Sequence, residues 1–561
     1  MSGTQASTVV ALPQEIWWLV SQEFTSRRDF LSLFNLARVN RSMAKLALPL
    51  LYSIHELSPA STGDTAIVDT KKWAVLWRSI LASSLGGAMY SYCLWIKSLS
   101  LGNLHSLLED LARDQYKDIR TWFFGAPLER FHILQSRASN VATRRNRALM
   151  DIESIIFEVA NQITDFIKTS ATEHDKTVGL TSLEGYHLPT ARLPRWVSRL
   201  SLLTSLAVRD GSVLNSTIAE AIRENCPHFR ELVCHYCVGP DVDDDLAGFL
   251  SSLSPNTLQS FTIMSANRVG AITHAALGRH SSSLSQLSLY VEDSAVAGLP
   301  FLSDCTNLVD LTLDVCGTVP PLWEQTHKEE VRQIASWLQQ CTSLKKLSVI
   351  NLPSTLSILA EVLKVPGIRL TDLEITMQTI QEDTSAFSSA MATQSDLKTF
   401  IFRSRDGWFG GSEFIHAICQ CTKLRKLDIV TQMLKIGDFY KVTDTMKDVE
   451  EFAFDIDSDE PIGDECVYAL GTMHQLKTLT INATTAFTYQ GLLALFENLG
   501  SDPLGSHQGL SIHIMRQVGT QKFSQAQVKK LNAALSKQLG GKMEITYDAD
   551  PDELNESDFS D

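Results

Sequence analysis

The residue spacing in this chain that most resembles that of a redox or metal site belongs to two cysteines. Cys234 and Cys237 form a C-x-x-C pair, which redox proteins and zinc sites use. A zinc site would need a second pair at similar spacing, and the chain has none. Cys234 is instead the third apolar residue of a six-residue motif that recurs along the chain, and Cys237 follows three positions later. We therefore predict buried thiols without a metal or redox role.

The common catalytic and nucleotide-binding motifs are missing from the sequence. It contains no G-x-x-x-x-G-K-[ST], no G-x-S-x-G and no H-E-x-x-H. No spacing among the His and Asp residues singles out a catalytic pair. An enzyme on an unusual scaffold would need a pocket with convergent titratable groups. We therefore expect a non-catalytic protein with no cofactor.

The recurring motif is L-x-x-L-x-L, with other apolar residues at some positions. Its copies are LTSLAV (203–208), FRELVC (229–234), LQSFTI (258–263), LSQLSL (284–289), LVDLTL (308–313), LKKLSV (344–349), LTDLEI (370–375), LKTFIF (397–402), LRKLDI (424–429), VEEFAF (449–454) and LKTLTI (476–481). The central residues of successive copies lie 24 to 29 positions apart, except for one step of 36. An earlier copy, IKSLSL (96–101), stands apart.

This period and motif resemble those of leucine-rich-repeat proteins of the cysteine-containing or ribonuclease-inhibitor-like classes. The resemblance implies an α/β solenoid, with parallel strands on its concave side and helices on its convex side. Only Cys237 and Cys316 occupy the Asn/Cys position three residues after the motif, so the subclass stays open. We expect the solenoid to extend over residues 196–547.

Residues between the inward-pointing motif positions should line the concave face, which is the usual binding surface of a solenoid. Their mixed charges favour a protein partner over a uniform polyanion. A loop at 403–413 adds Trp408 beside glycines, either as an interface anchor or packed against the next helix. The predicted target contacts are Arg209, His235, Tyr290, Asp314, Lys346, Glu374, Arg403, Trp408 and Asp428. Each could instead be a solvated strand residue.

Residues 12–52 have the apolar spacing of three short helices, with Asp29 and Asn40 as candidate N-caps of the second and third. The pattern Leu12-Pro13-x-Glu15-Ile16, followed by Asp29, Leu33, Leu36 and Val39, resembles the F-box. F-box helices dock onto a Skp-type adaptor within a cullin-RING ubiquitin ligase. The resemblance implies adaptor contacts at Leu12, Pro13, Glu15, Ile16, Leu19, Leu33, Leu36 and Val39. An ordinary helical cap on the repeats is the alternative interpretation.

The regular period is lost between the first two motif copies, and this divides the chain into segments. We predict a flexible N-terminus (1–11), an F-box (12–55), a linker and first repeat (56–104), a helical insertion (105–195), the solenoid (196–547) and an acidic disordered tail (548–561). In the insertion, Ile152, Val159 and Ile163 belong to one apolar helical face. The insertion could pack on the solenoid or form a second contact site.

Bulk composition restricts the class of partner. A formal net charge of −15 argues against general binding to nucleic acid, which requires clustered cations. The first residues lack a signal-peptide pattern, and no apolar run is long enough for a membrane span. Ten cysteines without small-domain disulfide spacing are typical of reduced proteins of the cytoplasm or nucleus.

Together the two patterns indicate a substrate-recognition subunit of a Skp-cullin-F-box ubiquitin ligase. The F-box would bind the adaptor, and through it the cullin, while the repeats would bind a target protein that the sequence does not identify. The alternative is a leucine-rich-repeat interaction scaffold without a role in degradation.

Overall fold

The computed structural model describes residues 12–53, 66–135, 149–173, 177–186, 188–317, 326–378, 384–405, 411–456, 461–501, 509–517 and 523–547. The chain divides into two compact units, residues 1–265 and 266–561. The predicted N-terminal segment 1–11, the tail 548–561 and Trp408 lie outside the described residues.

The strands of the first unit form a parallel sheet in chain order. They are β1 (Ser98–Ser100), β2 (Ser182–Gly185), β3 (Ser205–Asp210), β4 (Glu231–Tyr236) and β5 (Ser260–Ile263). Their register aligns Leu183, Leu206, Leu232 and Phe261, and all four side chains are fully buried. The central residue of each motif therefore contributes to one continuous apolar row, as predicted for stacked repeats.

The strands of the second unit follow the same pattern. Its strands are β6 (Gln286–Glu292), β7 (Asp310–Cys316), β8 (Lys346–Ile350), β9 (Asp372–Met377), β10 (Thr399–Ser404), β11 (Lys426–Leu434), β12 (Glu451–Ile456), β13 (Thr478–Thr485), β14 (Ser511–Gln517) and β15 (Lys542–Tyr547). All pair in parallel in chain order. Buried and half-buried residues alternate along β13, so one face of the sheet is covered and the other is open.

Helices precede the first strand and connect most of the later strands. Those of the first unit are α1 (Gln14–Ser26), α2 (Phe30–Ala37), α3 (Arg41–Ser53), α4 (Ala66–Ser84), α5 (Leu101–Ala112), α6 (Lys117–Phe123), α7 (Ile152–Glu173), α8 (Leu193–Val197), α9 (Ser216–Asn225) and α10 (Val242–Ser252). The backbone N–H of Ser32 donates to Asp29 Oδ1, and that of Met43 donates to Asn40 Oδ1, both at 2.9 Å. Both predicted N-caps are therefore confirmed.

The helices of the second unit are shorter on average and alternate with its strands. They are α11 (Ala271–Leu277), α12 (Lys328–Gln340), α13 (Thr355–Val362), α14 (Ser385–Met391), α15 (Ser412–Gln420), α16 (Ile436–Thr445), α17 (Asp464–Leu470), α18 (Tyr489–Ser501) and α19 (Gln525–Leu539), together with a 3₁₀ segment at Asp293–Leu302. Parallel strands joined by helices, with one inward apolar row, make a leucine-rich-repeat solenoid. The predicted fold class is confirmed.

The segment between β1 and β3 differs most from expectation. Its helix α7 buries Ile155, Val159 and Ile163, on the apolar face that the sequence predicts. Strand β2, however, lies inside the stretch that we expected to be helical through residue 195, and it pairs with β1 and β3. The motif copy at 96–101 is therefore not isolated. Gly185 occupies the third motif position of β2, where an added Cβ would lie 2.4 Å from Leu188 Cδ2.

The C-x-x-C pair is buried beside a tight glycine. Cys234 and Cys237 are both free thiols with no exposed surface. The hydrogen bond with Cys237, followed by burial, holds the pKa of Cys234 well above its usual value. A Cβ on Gly211 would lie 2.3 Å from Cys237 Sγ, so glycine allows this close packing. The predicted burial of these thiols is confirmed.

Candidate protein-interaction surfaces

Large apolar side chains are exposed in and beside the first three helices, and we call this set the N-terminal apolar patch. Its members are 40 to 67% exposed. They are Leu12, Ile16, Trp18, Leu19, Leu31, Phe34 and Val39. Single exposed apolar residues are ordinary, but a set of seven within 28 positions is typical of an interaction surface.

The predicted adaptor contacts divide into two groups. Leu12, Ile16, Leu19 and Val39 belong to the patch, and Pro13 and Glu15 are exposed beside them. Leu33 and Leu36 are instead buried. They do not belong to the exposed surface, so their expected contact with an adaptor is not supported by their position.

Helix α2 is apolar nearly all round, and this explains the difference. Leu33 and Leu36 are three residues apart on the face that packs on α3, whereas Leu31 and Phe34 share the exposed face. Trp18, Leu31 and Phe34 are not among the adaptor contacts that the sequence predicts. The apolar residues on two faces of α2 were the sequence signal that one of these faces could bind a partner.

Aromatic packing fixes α3 to the start of the repeats. The ring of Tyr52 stacks on Tyr92 with centroids 4.5 Å apart, and Trp95 lies edge-on to it at 6.2 Å. The Tyr52 hydroxyl and Ser79 Oγ in α4 are 2.5 Å apart in a hydrogen bond. Burial raises the pKa of Tyr52 above its usual value. The patch is thus carried on helices that pack on α3, and α3 contacts the start of the repeats directly.

In each unit we call the uncovered side of the strands the open face. The outward strand positions lie on it, for example Ser205, Ala207 and Arg209 of β3. In the second unit, cations on this face have acidic neighbours. Arg403 forms an ion pair with Asp428, whose carboxylate is buried. Lys426 Nζ lies 2.7 Å from Glu451 Oε2.

Lys346 lies on the same face between two acidic neighbours. The strand register pairs it with Asp310 on one side and Asp372 on the other. Burial raises the pKa of Asp310, and the positive charge of Lys346 opposes that shift. These contacts use part of the charge that a target would otherwise bind.

Three other predicted contacts on this face also have internal partners or are partly desolvated. The hydrogen bond with Cys316, followed by burial, raises the pKa of Tyr290 to about 12. Burial raises the pKa of Asp314. Glu374 accepts a hydrogen bond from Ser348 Oγ at 3.3 Å. Their role as target contacts stays a prediction.

The open face of the first unit presents its cation differently. The guanidinium of Arg209 lies 4.5 Å from the ring centroid of Tyr186, which directly follows β2. His235 is half-buried on β4, adjacent to the position of Arg209. The carboxylate of Glu184 accepts hydrogen bonds from Ser100 Oγ and the backbone N–H of Gly102. Burial raises the pKa of Glu184.

None of the helices in the described part of the chain is both long enough and apolar enough to cross a membrane. No cluster of three or more His, Cys, Asp or Glu side chains within it is placed to hold a metal ion.

The fold is that of a leucine-rich-repeat solenoid. Comparison with protein-family models and with curated proteins found no match. A leucine-rich-repeat protein of Leptospira interrogans is 13% identical, with 69% of this chain and 91% of that chain covered and a TM-score of 0.34. The structure of the yeast Rad7 and Elc1 complex is similar at 14% identity, over 82% of this chain and 92% of that chain, with a TM-score of 0.35. Likenesses this distant carry no information about partners.

Proposed function

We propose that this protein is the substrate-recognition subunit of a Skp-cullin-F-box ubiquitin ligase. The N-terminal apolar patch binds the Skp-type adaptor, and the repeats bind a target protein. The observation that carries the proposal is the exposure of seven large apolar side chains on helices whose sequence resembles an F-box.

Burial of the patch would supply the free energy of adaptor binding. Removing one large apolar side chain from water stabilises a complex by roughly 1.5–3 kcal/mol, before the entropic cost of association. Ile16 and Leu19 are three residues apart in α1 and lie on one side of the helix, and exposed Leu12 comes just before the helix begins. In the described structure these side chains are left exposed, although the helices have a core of their own.

The contacts of Tyr52 give the proposed receptor a defined geometry. Helix α3 is held to α4 and the first repeat by ring packing and a hydrogen bond. A target bound to the open face of the first unit would therefore keep a fixed position relative to the adaptor. Ubiquitin transfer would be performed by other subunits, because holding a lysine near an activated ubiquitin is enough to accelerate the reaction. We infer that this chain is non-catalytic and acts in the cytoplasm or nucleus.

Co-purification with a Skp-type adaptor tests the proposal. The double variant Ile16→Asp, Leu19→Asp places two charges in the patch without altering buried residues. We expect it to reduce adaptor recovery by about tenfold or more, because a charge in an apolar interface is left desolvated. The control is Leu202→Asp, which changes an exposed leucine of the repeats. Unchanged recovery with the double variant would refute adaptor docking through this patch.

Target turnover separates the proposal from an interaction scaffold. If the protein is a ligase receptor, its bound target should have a longer half-life in cells that carry the double variant. A target that binds the repeats and keeps the same half-life in both strains would favour a scaffold without a degradation role.

A further inference from the structure

One row on the open face of the first unit combines an aromatic ring, a cation, an imidazole and a thioether. Tyr186, Arg209, His235 and Met264 each come directly after residues that are paired across β2 to β5. Arg209 and Met264 are exposed, while Tyr186 and His235 are half-buried. Neighbouring strands are about 4.8 Å apart, so the row runs across the strands as a continuous strip.

Arg209 is held in place without its charge being neutralised. It lies over the ring of Tyr186, and it forms no ion pair within the described part of the chain. Glu184 on the neighbouring strand accepts hydrogen bonds from Ser100 and from Gly102 at the start of α5, and it also interacts electrostatically with His235. An added Cβ at Gly102 would lie 2.4 Å from Glu184 Oε1, so this glycine allows the carboxylate to approach the helix.

The ring beneath Arg209 is itself fixed. His105 of α5 contacts Tyr186 edge-on, with ring centroids 5.8 Å apart. Stacking on a fixed ring limits the rotamers of the guanidinium, so less conformational entropy is lost when it binds an anion. Arg403 and Lys426 of the second unit differ from Arg209, because their charges are already paired with carboxylates on neighbouring strands.

We propose that Tyr186, Arg209 and His235 form an anchor for one side-chain carboxylate of an acidic segment in the target protein. The inference deepens the proposed function and rests on it for the identity of the bound protein as a ligase target. Arg209 presents two N–H groups that match the two oxygens of a carboxylate. One guanidinium balances one such charge, whereas a phosphate would bring nearly two. The buried Glu184 nearby also disfavours a more highly charged ligand.

The position of Met264 predicts the distance between the acidic residue of the target segment and a neighbouring apolar residue. Met264 lies two strands from Arg209, which corresponds to about 10 Å across the sheet. An extended segment of about three residues spans that distance. The target segment is therefore expected to carry an Asp or Glu about three positions from an apolar residue that packs on Met264.

The probe is a random peptide library displayed on phage, selected against the full-length protein both with and without the Skp-type adaptor. Parallel selections use Arg209→Gln, Met264→Ser and Lys426→Gln. The first and third variants remove the same charge, but Lys426 is already paired with Glu451. We expect wild type and Lys426→Gln to enrich peptides with an acidic and an apolar residue at the stated spacing.

Synthetic peptides from this selection then give the affinities. Arg209→Gln should weaken binding by about tenfold or more, since it removes a charge-assisted pair of hydrogen bonds. Met264→Ser should keep the preference for an acidic residue and lose the preference for the apolar one. A phosphoserine in place of the selected acidic residue should bind no more tightly than the original peptide.

Three results would overturn the anchor: no acidic enrichment with wild type, enrichment that persists in Arg209→Gln, or a phosphoserine peptide that binds about tenfold more tightly. Circular dichroism of each variant establishes that it is folded. Adaptor binding is measured on the same samples. If acidic peptides are not enriched but the adaptor still binds, the anchor is refuted and the proposed function is not. If acidic peptides are enriched by a chain that binds no adaptor, the anchor is supported and the ligase role is refuted.

Discussion

Asn103, in the first turn of α5, accepts two hydrogen bonds from buried tryptophans. Trp73 Nε1 and Trp77 Nε1 each lie 2.7 Å from its Oδ1. Asn103→Leu would leave two buried indole N–H groups without this acceptor, at a cost of about 1–3 kcal/mol each. We expect a loss of roughly 2–5 kcal/mol in stability, measured by denaturant unfolding. Asn225→Leu is the control, since the Asn225 amide donates to the Ala221 carbonyl of its own helix. Equal losses would contradict the role of Asn103.

Glu184 gives a pH dependence with a definite sign. Burial raises its pKa in the folded protein, so the folded state favours the protonated carboxyl. Its contribution to stability is therefore full below the pKa of the unfolded chain, and it is lost as pH rises through the raised folded value. Glu184→Gln keeps an acceptor for Ser100 and Gly102 and cannot ionise.

We expect the stability of wild type to fall relative to Glu184→Gln as pH increases across the titration of this carboxyl. Unfolding free energies measured over a pH series for both proteins test this prediction. Parallel curves for the two proteins would show that the buried carboxyl does not titrate in this way.

Residue-level prediction from sequence succeeded where it rested on strand alternation. Arg209, His235 and Lys346 all occupy outward positions, as their place in the motif predicts. Whether each has a partner could not be predicted, because Arg403 meets Asp428 across 25 positions of sequence. Such pairing depends on the register between strands and on side-chain conformations, which no local pattern encodes.

At the scale of elements, the side chain of Arg199 links α7 to the repeats through hydrogen bonds and an ion pair. Arg199 Nη1 donates to Asn161 Oδ1 at 2.9 Å and to Thr164 Oγ1 at 3.1 Å, and its Nη2 lies 2.9 Å from Asp165 Oδ1. The helical segment therefore packs on the repeats of its own unit. A second contact site on it stays a prediction.

Removing this arginine should destabilise the first unit. Arg199→Met keeps the aliphatic stem and loses every one of these hydrogen bonds, at a cost of about 2–4 kcal/mol. Arg199→Lys, which retains the charge but fewer donors, should fall between wild type and Arg199→Met. Limited proteolysis and thermal unfolding measure the effect. Wild-type resistance in Arg199→Met would show that α7 is held by its apolar face alone.

The elements that the sequence did not reveal have identifiable physical reasons. Strand β2 keeps Leu180 and Leu183 at the first two motif positions, but Gly185 replaces the third apolar residue because Leu188 fills its space. In α2, apolar residues lie on two faces, so the sequence alone does not show which face is exposed. Packing between residues that are distant in sequence determines both the formation of β2 and the exposed face of α2.

At the scale of the whole molecule, the two proposed interactions differ in their physical origin. Adaptor binding would depend on burial of the N-terminal apolar patch, whereas the anchor would depend on the charge of Arg209 at an exposed site. Raising the salt to about 0.5 M screens exposed charges and strengthens effective apolar burial. We expect acidic-peptide binding to weaken and adaptor binding to be retained, as measured by calorimetry on the same preparation. Equal weakening of both would contradict this separation.

Hydrogen exchange of the full-length protein, with and without a Skp-type adaptor, tests the central claim most directly. We expect the adaptor to slow exchange in α1 and α2, which carry most of the apolar patch, and to leave strands β6 to β15 unchanged. Protection of the open faces with none in α1 and α2, or no protection in any helix of residues 12–53, would contradict the account.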